Sequence, residues 1–231
     1  MPVRLPVSAD PWQYVTAEVA SISWHGVSIA SPSFGETAVV VGQGLIGAFA
    51  AKWLLNQGVR VVVTDLEESR LERARRWGAT TVSAKDPDAR ERILSCFENK
   101  IDISVEASST MAGARLASSL LKKNIEADSY HLQELRSNPF KWPRIIYLAT
   151  YTDSVQTHPA GLADCEGVVV FRPCDRRVGD RQMVVEFIRQ GRLPVSDFVN
   201  EALPVEKAPE AYKNLREHPE QYSAIAFRWK D

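Results

Sequence analysis

Three glycines and one acid carry the chemistry most legible in this chain. Gly42, Gly44 and Gly47 stand at GxGxxG spacing directly after the apolar run Ala38–Val41. A helical pattern follows over Leu45–Gln57, then a second apolar run, Val59–Thr64, closed by Asp65. A strand, a glycine turn, a helix and a strand ending in an acid form a dinucleotide site, in which each part has a job. Gly42 permits the tight turn, Gly44 lets backbone approach a pyrophosphate, and Gly47 allows close helix–strand packing. The turn, with Gln43, and the helix start, with Leu45 and Ile46, offer amides and a partial positive charge to the phosphates. Asp65 lies where a carboxylate takes the ribose hydroxyls of the adenosine half. A carboxylate there pairs with a free 2′-hydroxyl and repels a 2′-phosphate, so NAD is the expected cofactor. Leu66, Glu67 and Glu68 add acid and no early base, and Arg70 comes five residues after Asp65.

The rest of the chain must position that turn. The first dozen residues carry three prolines and no periodicity, and read as an arm. A helical pattern runs from Thr16 to Ala30 and ends at Ser31-Pro32. Alternation follows: strands near 37–42, 59–65, 79–83 and 101–106, with helices near 45–57, 67–77, 87–97 and 111–123. Strands alternating with helices mean βαβ units and a parallel sheet. The fold class is α/β, a Rossmann-type doubly wound parallel sheet. It forms a single domain with an N-terminal helical arm: residues 1–34 as arm and helix, 35–231 as the nucleotide-binding domain. Residues 124–144 break the rhythm and read as an insertion. Strands resume at 144–150 and 167–171. A helix near 179–190, a strand at 198–204, a helix at 208–217 and a strand at 223–229 complete the chain.

Composition narrows the function classes. The 231 residues carry a net charge of −1, with 45% hydrophobic and 25% charged side chains. That balance gives no electrostatic reason to expect nucleic acid or an anionic membrane. No membrane-length apolar run and no signal pattern is present, so the cytoplasm is the expected compartment. Cys96, Cys165 and Cys174 lack CxxC or zinc spacing and read as thiols.

Several stretches together resemble the cofactor-binding half of the medium-chain dehydrogenases, the zinc alcohol and polyol dehydrogenase family. They are Glu18–Val27, Gly35–Gly47, Asp65 with Arg70–Ala79, Asp102–Ser108, and the tail from Phe187–Leu193 through Ala208–Tyr212. The resemblance implies an NAD site in which Arg70 flanks the adenosine ribose and Arg176 or Arg177 approaches the pyrophosphate. Ala107 and Ser108 would border the cofactor beyond the fourth strand. Family members begin with a barrel-like catalytic domain that supplies zinc ligands. Here Met1–Ala17 stands in its place, and the Cys and Gly-His-Glu ligand motifs are not in the chain. Glu18 alone does not make a zinc site, which needs about three protein ligands. The expectation is therefore zinc-independent chemistry and no metal.

Hydride transfer to a ketone leaves charge developing on oxygen, where a proton or fixed dipole is needed. The short-chain reductases use a Tyr four residues before a Lys, and no tyrosine here has that partner. Ligands of open α/β sheets lie beyond the carboxyl ends of the strands. That places Glu106 and Ser108 after strand four, Tyr151, Asp153 and His158 after strand five, and Arg172, Cys174 and Asp175 after strand six. Tyr151 and His158 are the catalytic candidates, as the groups best able to donate a proton. Trp142 and Phe140 either cover the nicotinamide or pack.

The functional expectation is a minimal NAD(H)-dependent oxidoreductase interconverting an alcohol and a ketone of a small polar metabolite. Two alternatives stand beside it: a non-catalytic NAD-binding or sensing module, and the cofactor-binding subunit of a split dehydrogenase. A homodimer is expected through the valine strand 168–171, whose edge would otherwise be a liability. A partner protein over 16–30 and 223–229 is the other expectation, because Ile225, Phe227 and Trp229 would otherwise be bare.

Overall fold

A computed structural model of the protein describes residues 3–5, 7, 9–121, 142–151, 168–174, 177, 179–218 and 221–229. Strands β1 (Thr37–Val41), β2 (Arg60–Asp65), β3 (Thr80–Ser83), β4 (Ile103–Glu106), β5 (Arg144–Tyr147) and β6 (Val169–Phe171) form one parallel sheet in the order β3-β2-β1-β4-β5-β6. The order reverses at β1, whose Val39 stands opposite Val62 of β2 and Ser104 of β4. This is the doubly wound Rossmann arrangement that the alternation of elements implies.

Alternate side chains of β1 enter different cores. Ala38 and Val40 join the cluster under α1 (Ala17–Ile29), α2 (Leu45–Asn56) and α6 (Asp180–Arg189). Val39 and Val41 join the cluster under α4 (Ala89–Ser95) and α5 (Met111–Ser119). With period-two side chains and helices on both faces, every β1 residue is buried. On the first face α2 is covered in turn by α1. The Trp53 indole donates to the Ala20 carbonyl at 3.1 Å, and the Trp24 ring meets Trp53 edge-on at 5.0 Å. The α1 helix is thus part of the main core, packed on α2 and α6.

The N-terminal segment is more engaged than an arm. Asp10 caps a 3₁₀ turn over Pro11–Tyr14, Tyr14 is buried, and Leu5 and Ala9 pack against the same core. Trp12 lies under the Arg228 guanidinium at 5.3 Å.

The tail strands β7 (Val199–Pro204) and β8 (Ala224–Arg228) pair with each other as a separate parallel ribbon, flanked by α7 (Ala208–Glu217). Ile225 and Phe227 are half-buried, with Phe227 6.2 Å from the Tyr212 ring, while Trp229 is exposed.

The N-terminal rim of the sheet is closed by charge. The fully buried Arg144 donates to both Glu36 carboxylate oxygens at 2.7 Å, and Thr37 N–H donates to Asp102. Trp142 stands two residues before β5, and its carbonyl accepts from Arg144. It therefore stands at the rim opposite the strands' carboxyl ends, which removes it as a nicotinamide cover. Phe140 and most of the 124–144 insertion lie outside the described residues. No helix among those residues is long and apolar enough to cross a membrane.

Candidate cofactor site

At the carboxyl ends of β1, β2, β3 and β4 lies a cavity of about 570 Å³. Its wall includes Gly42, Gly44, Asp65, Arg70, Ala107 and Ser108. These six are among the ten residues expected to hold cofactor. The other four stand behind them: Gln43 is fully buried, and Leu45, Ile46 and Gly47 form the first turn of α2.

The glycine turn shows why each position is glycine. Gly42 has φ +91°, and a Cβ there would sit 2.7 Å from the Ser108 backbone. A Cβ on Gly47 would lie 1.9 Å from the Gly42 carbonyl oxygen. Gly44, in contrast, has no neighbour within 4 Å of a built Cβ. The space beside it is open, as close approach by a ligand requires. Gly44 is the N-cap of α2, and the first intrahelical bond runs from Ala48 N–H to Gly44 O at 2.9 Å. The amides before Ala48 precede the ladder and lack intrahelical acceptors.

Asp65 is 8% exposed and built into the turn. Its Oδ2 accepts from Gln43 N–H at 2.6 Å and its Oδ1 from Glu67 N–H at 2.9 Å. Arg70 Nη1 stands 3.6 Å from Oδ1. A carboxylate offers about four lone-pair sites. Asp65 therefore keeps acceptor capacity on the side where it borders the cavity.

After β4 the chain turns sharply through Ser108–Thr110, with Ser109 at φ +61°. The buried Glu106 organises this turn: its Oε1 accepts from Ser108 N–H at 2.7 Å and from Ser108 Oγ at 2.5 Å. Thr110 caps α5, accepting from Gly113 N–H at 3.0 Å. Ala112, Gly113 and Leu116 extend the wall, with Leu66 and Ala84 opposite. The chain pattern marks the α5 start but does not single out Thr110, Gly113 or Leu116 as wall residues.

Tyr151 lies beyond β5 as expected. Its hydroxyl donates to Glu106 Oε2 in a short hydrogen bond. Burial, then the hydrogen bond to Glu106, then the Glu106 charge push its ionisation far above the usual phenol range. His158, Asp153, Asp175 and Arg176 lie outside the described residues. Arg177 is exposed three residues before α6 and is not among the residues of the cavity wall, and its N–H donates to Asp180.

The residue that the chain pattern hides is Arg73. It sits in the basic run Arg70–Arg76, which has the look of a solvated helix face, yet it is 5% exposed. Its Nη2 donates to the Gln43 carbonyl and its Nη1 to Ser223 Oγ, both at 2.7 Å.

Most of the cavity wall, from Thr64 to Leu116, falls within a span that matches a known family, while Val41, Gly42 and Gly44 precede it. The zinc-binding dehydrogenase family profile matches residues 46–125. Over that span the chain matches the zinc-binding dehydrogenase family. A zinc-type alcohol dehydrogenase-like protein of Schizosaccharomyces pombe is 25% identical over 211 residues, 86% of this chain and 48% of that protein. An Escherichia coli short chain alcohol dehydrogenase, solved with NADH, superposes with TM-score 0.79 at 15% identity, covering 98% of this chain and 62% of the other. A Sinorhizobium meliloti zinc-binding dehydrogenase, solved with NADP, superposes with TM-score 0.73 at 16% identity, covering 92% and 58%. The chain spans about half the length of the curated relatives it matches.

The family name raises the question of zinc. Among the described residues no group of three or more His, Cys, Asp or Glu side chains converges as metal ligands. Glu18 pairs with Arg181 at 2.5 Å, and Cys96 and Cys174 are exposed. These residues do not fit a catalytic zinc, which takes about three ligands and an open position.

Proposed function

We propose that the cavity binds NAD(H), and that the chain serves hydride transfer between an alcohol and a ketone of a small polar metabolite without zinc of its own. The observation carrying this reading is the Asp65 carboxylate, fixed to the glycine turn and still bordering the cavity. Bound NAD(H) would supply the hydride chemistry. The chain's own residues bind and orient. Gly44 and the first turn of α2 meet the diphosphate, and the spare acceptor sites of Asp65 meet the ribose hydroxyls. Leu66, Ala84, Ala112 and Leu116 give the adenine apolar walls. The Asp65 charge favours a free 2′-hydroxyl over a 2′-phosphate, hence NAD over NADP.

Calorimetry with NADH and NADPH tests this, followed by NADH absorbance decay against a panel of ketones and sugars. Failure of NADH to bind at millimolar concentration, or full affinity in Asp65→Ala, overturns the cofactor reading. Binding without turnover overturns the catalytic part.

A second reading, a non-catalytic nucleotide-binding module or the cofactor subunit of a split enzyme, is favoured by Tyr151. A catalytic acid works best with its pKa near the operating pH. The hydroxyl of Tyr151 is instead given to Glu106, with its ionisation disfavoured. If Tyr151 donates a proton during turnover, it must first leave Glu106. His158 remains the other proposed donor.

A homodimer through β6 belongs to the same proposal. Among the described strands β6 pairs only with β5, and Val170 is exposed on it. Support for a further partner over residues 16–30 and 223–229 rests on the exposed Trp229. Sedimentation at micromolar concentration should give a dimer, and a wild-type monomer would remove that part.

A further inference from the structure

Both backbone polar groups of Gln43 are held. Asp65 holds its N–H, and Arg73 holds its C=O. The Gln43–Gly44 bond is trans, as are all the described peptides. In a planar trans peptide the C=O and the next N–H point in opposite directions. The guanidinium therefore turns the Gly44 N–H away from itself, and Gly44 borders the cavity.

Arg73 is itself firmly held. Its guanidinium lies 4.5 Å from the Phe198 ring centroid and 5.8 Å from that of Trp77. Trp77 in turn donates to Asp197 at 2.6 Å. Burial lowers the Arg73 pKa to about 10, Arg70 pushes the same way, and Asp197 and Asp65 oppose. The side chain stays cationic at neutral pH. Its second hydrogen bond reaches Ser223, the residue preceding β8. One side chain on α3 (Glu68–Arg76) thus joins the glycine turn to a ribbon outside the main sheet.

We propose that Arg73 is a positioning residue for the diphosphate end of the site: it aims the Gly44 amide at the ligand by holding the Gln43 carbonyl, and ties that aim to the β7–β8 ribbon through Ser223. The proposal rests on the nucleotide reading of the cavity. It requires Arg73 to matter for ligands that carry a diphosphate and not for the adenosine half alone.

The test compares ADP-ribose with adenosine by calorimetry on the full chain. Arg73→Met keeps a long side chain between the rings and loses both hydrogen bonds. It should weaken ADP-ribose about tenfold, since hydrogen bonds from charged donors are the strong ones, and adenosine by no more than about twofold. Arg73→Lys should recover part of the loss. Ser223→Ala, outside the cavity wall, should give a smaller loss confined to ADP-ribose. Equal losses for both ligands, or no loss, overturn the proposal. Should Arg73→Met not fold, Arg73→Lys and Ser223→Ala decide by the same criterion. A wild-type chain that binds ADP-ribose, with Arg73→Met binding it equally well, sinks this proposal alone. A wild-type chain that does not bind ADP-ribose sinks the nucleotide reading beneath it.

Discussion

The Asp65 carboxylate accepts the Gln43 amide at 2.6 Å, so the acid ending one strand fixes the turn following another. The same group that would choose the ribose also holds the phosphate-facing loop in shape. Asp65→Asn keeps an acceptor oxygen but loses the charge. It should narrow the preference for NADH over NADPH by about tenfold, with stability lowered by about 1–3 kcal/mol because one buried amide loses its charged partner. Paired titrations with the two cofactors and urea melts check both numbers.

Gly44 and Gly47 separate ligand binding from packing. Gly47→Ala drives a Cβ into the Gly42 carbonyl and should cost about 1–3 kcal/mol of stability. Gly44→Ala meets no protein atom and has φ −60°, which alanine adopts freely. Its stability should stay within about 1 kcal/mol of wild type. NADH affinity should nevertheless fall steeply, because the methyl occupies the ligand's space. Chemical denaturation beside calorimetry tells the two apart.

Tyr151 gives a pH signature. Its folded pKa is raised above the unfolded value of 10.0. The stability it adds is therefore fully present below about pH 10 and declines as pH rises and the unfolded phenol ionises. Urea stability of wild type should fall more steeply than that of Tyr151→Phe between about pH 9 and about pH 11. Tyrosinate absorbance of the two folded proteins should superimpose over the same range. An extra tyrosine titrating in wild type would contradict the Glu106 hydrogen bond.

The Glu36–Arg144 pair gives a prediction at the other rim. Glu36→Gln leaves the fully buried Arg144 facing a neutral amide. Stability should drop by about 3 kcal/mol, the usual cost of breaking a buried pair. NADH affinity should not change, since the pair lies across the sheet from the cavity. Parallel melts and binding isotherms check the separation.

Much of this fold was legible because its signals are local. The valine-dense run after Gly58 marks β2, the short run after Gly78 marks β3, and the glycine spacing places Asp65 opposite the turn. Contacts distant in sequence were not legible. Arg73 meets Gln43 and Ser223 across 30 and 150 residues, and its neighbours Arg70, Arg75 and Arg76 disguise it as a surface cation. The Glu106–Tyr151 bond spans 45 residues. The tail runs read correctly as strands, but short half-buried strands do not announce which sheet they join. Trp142 was open to a better reading, because a residue preceding a strand must stand at its amino end.

The clasp between Glu36 and Arg144 shuts the floor of the sheet while the glycine turn shapes its roof. Durability and grip are thereby housed at opposite ends of the same strands. An engineer could harden this protein against heat from below and retune what it holds from above, with little cross-talk between the two.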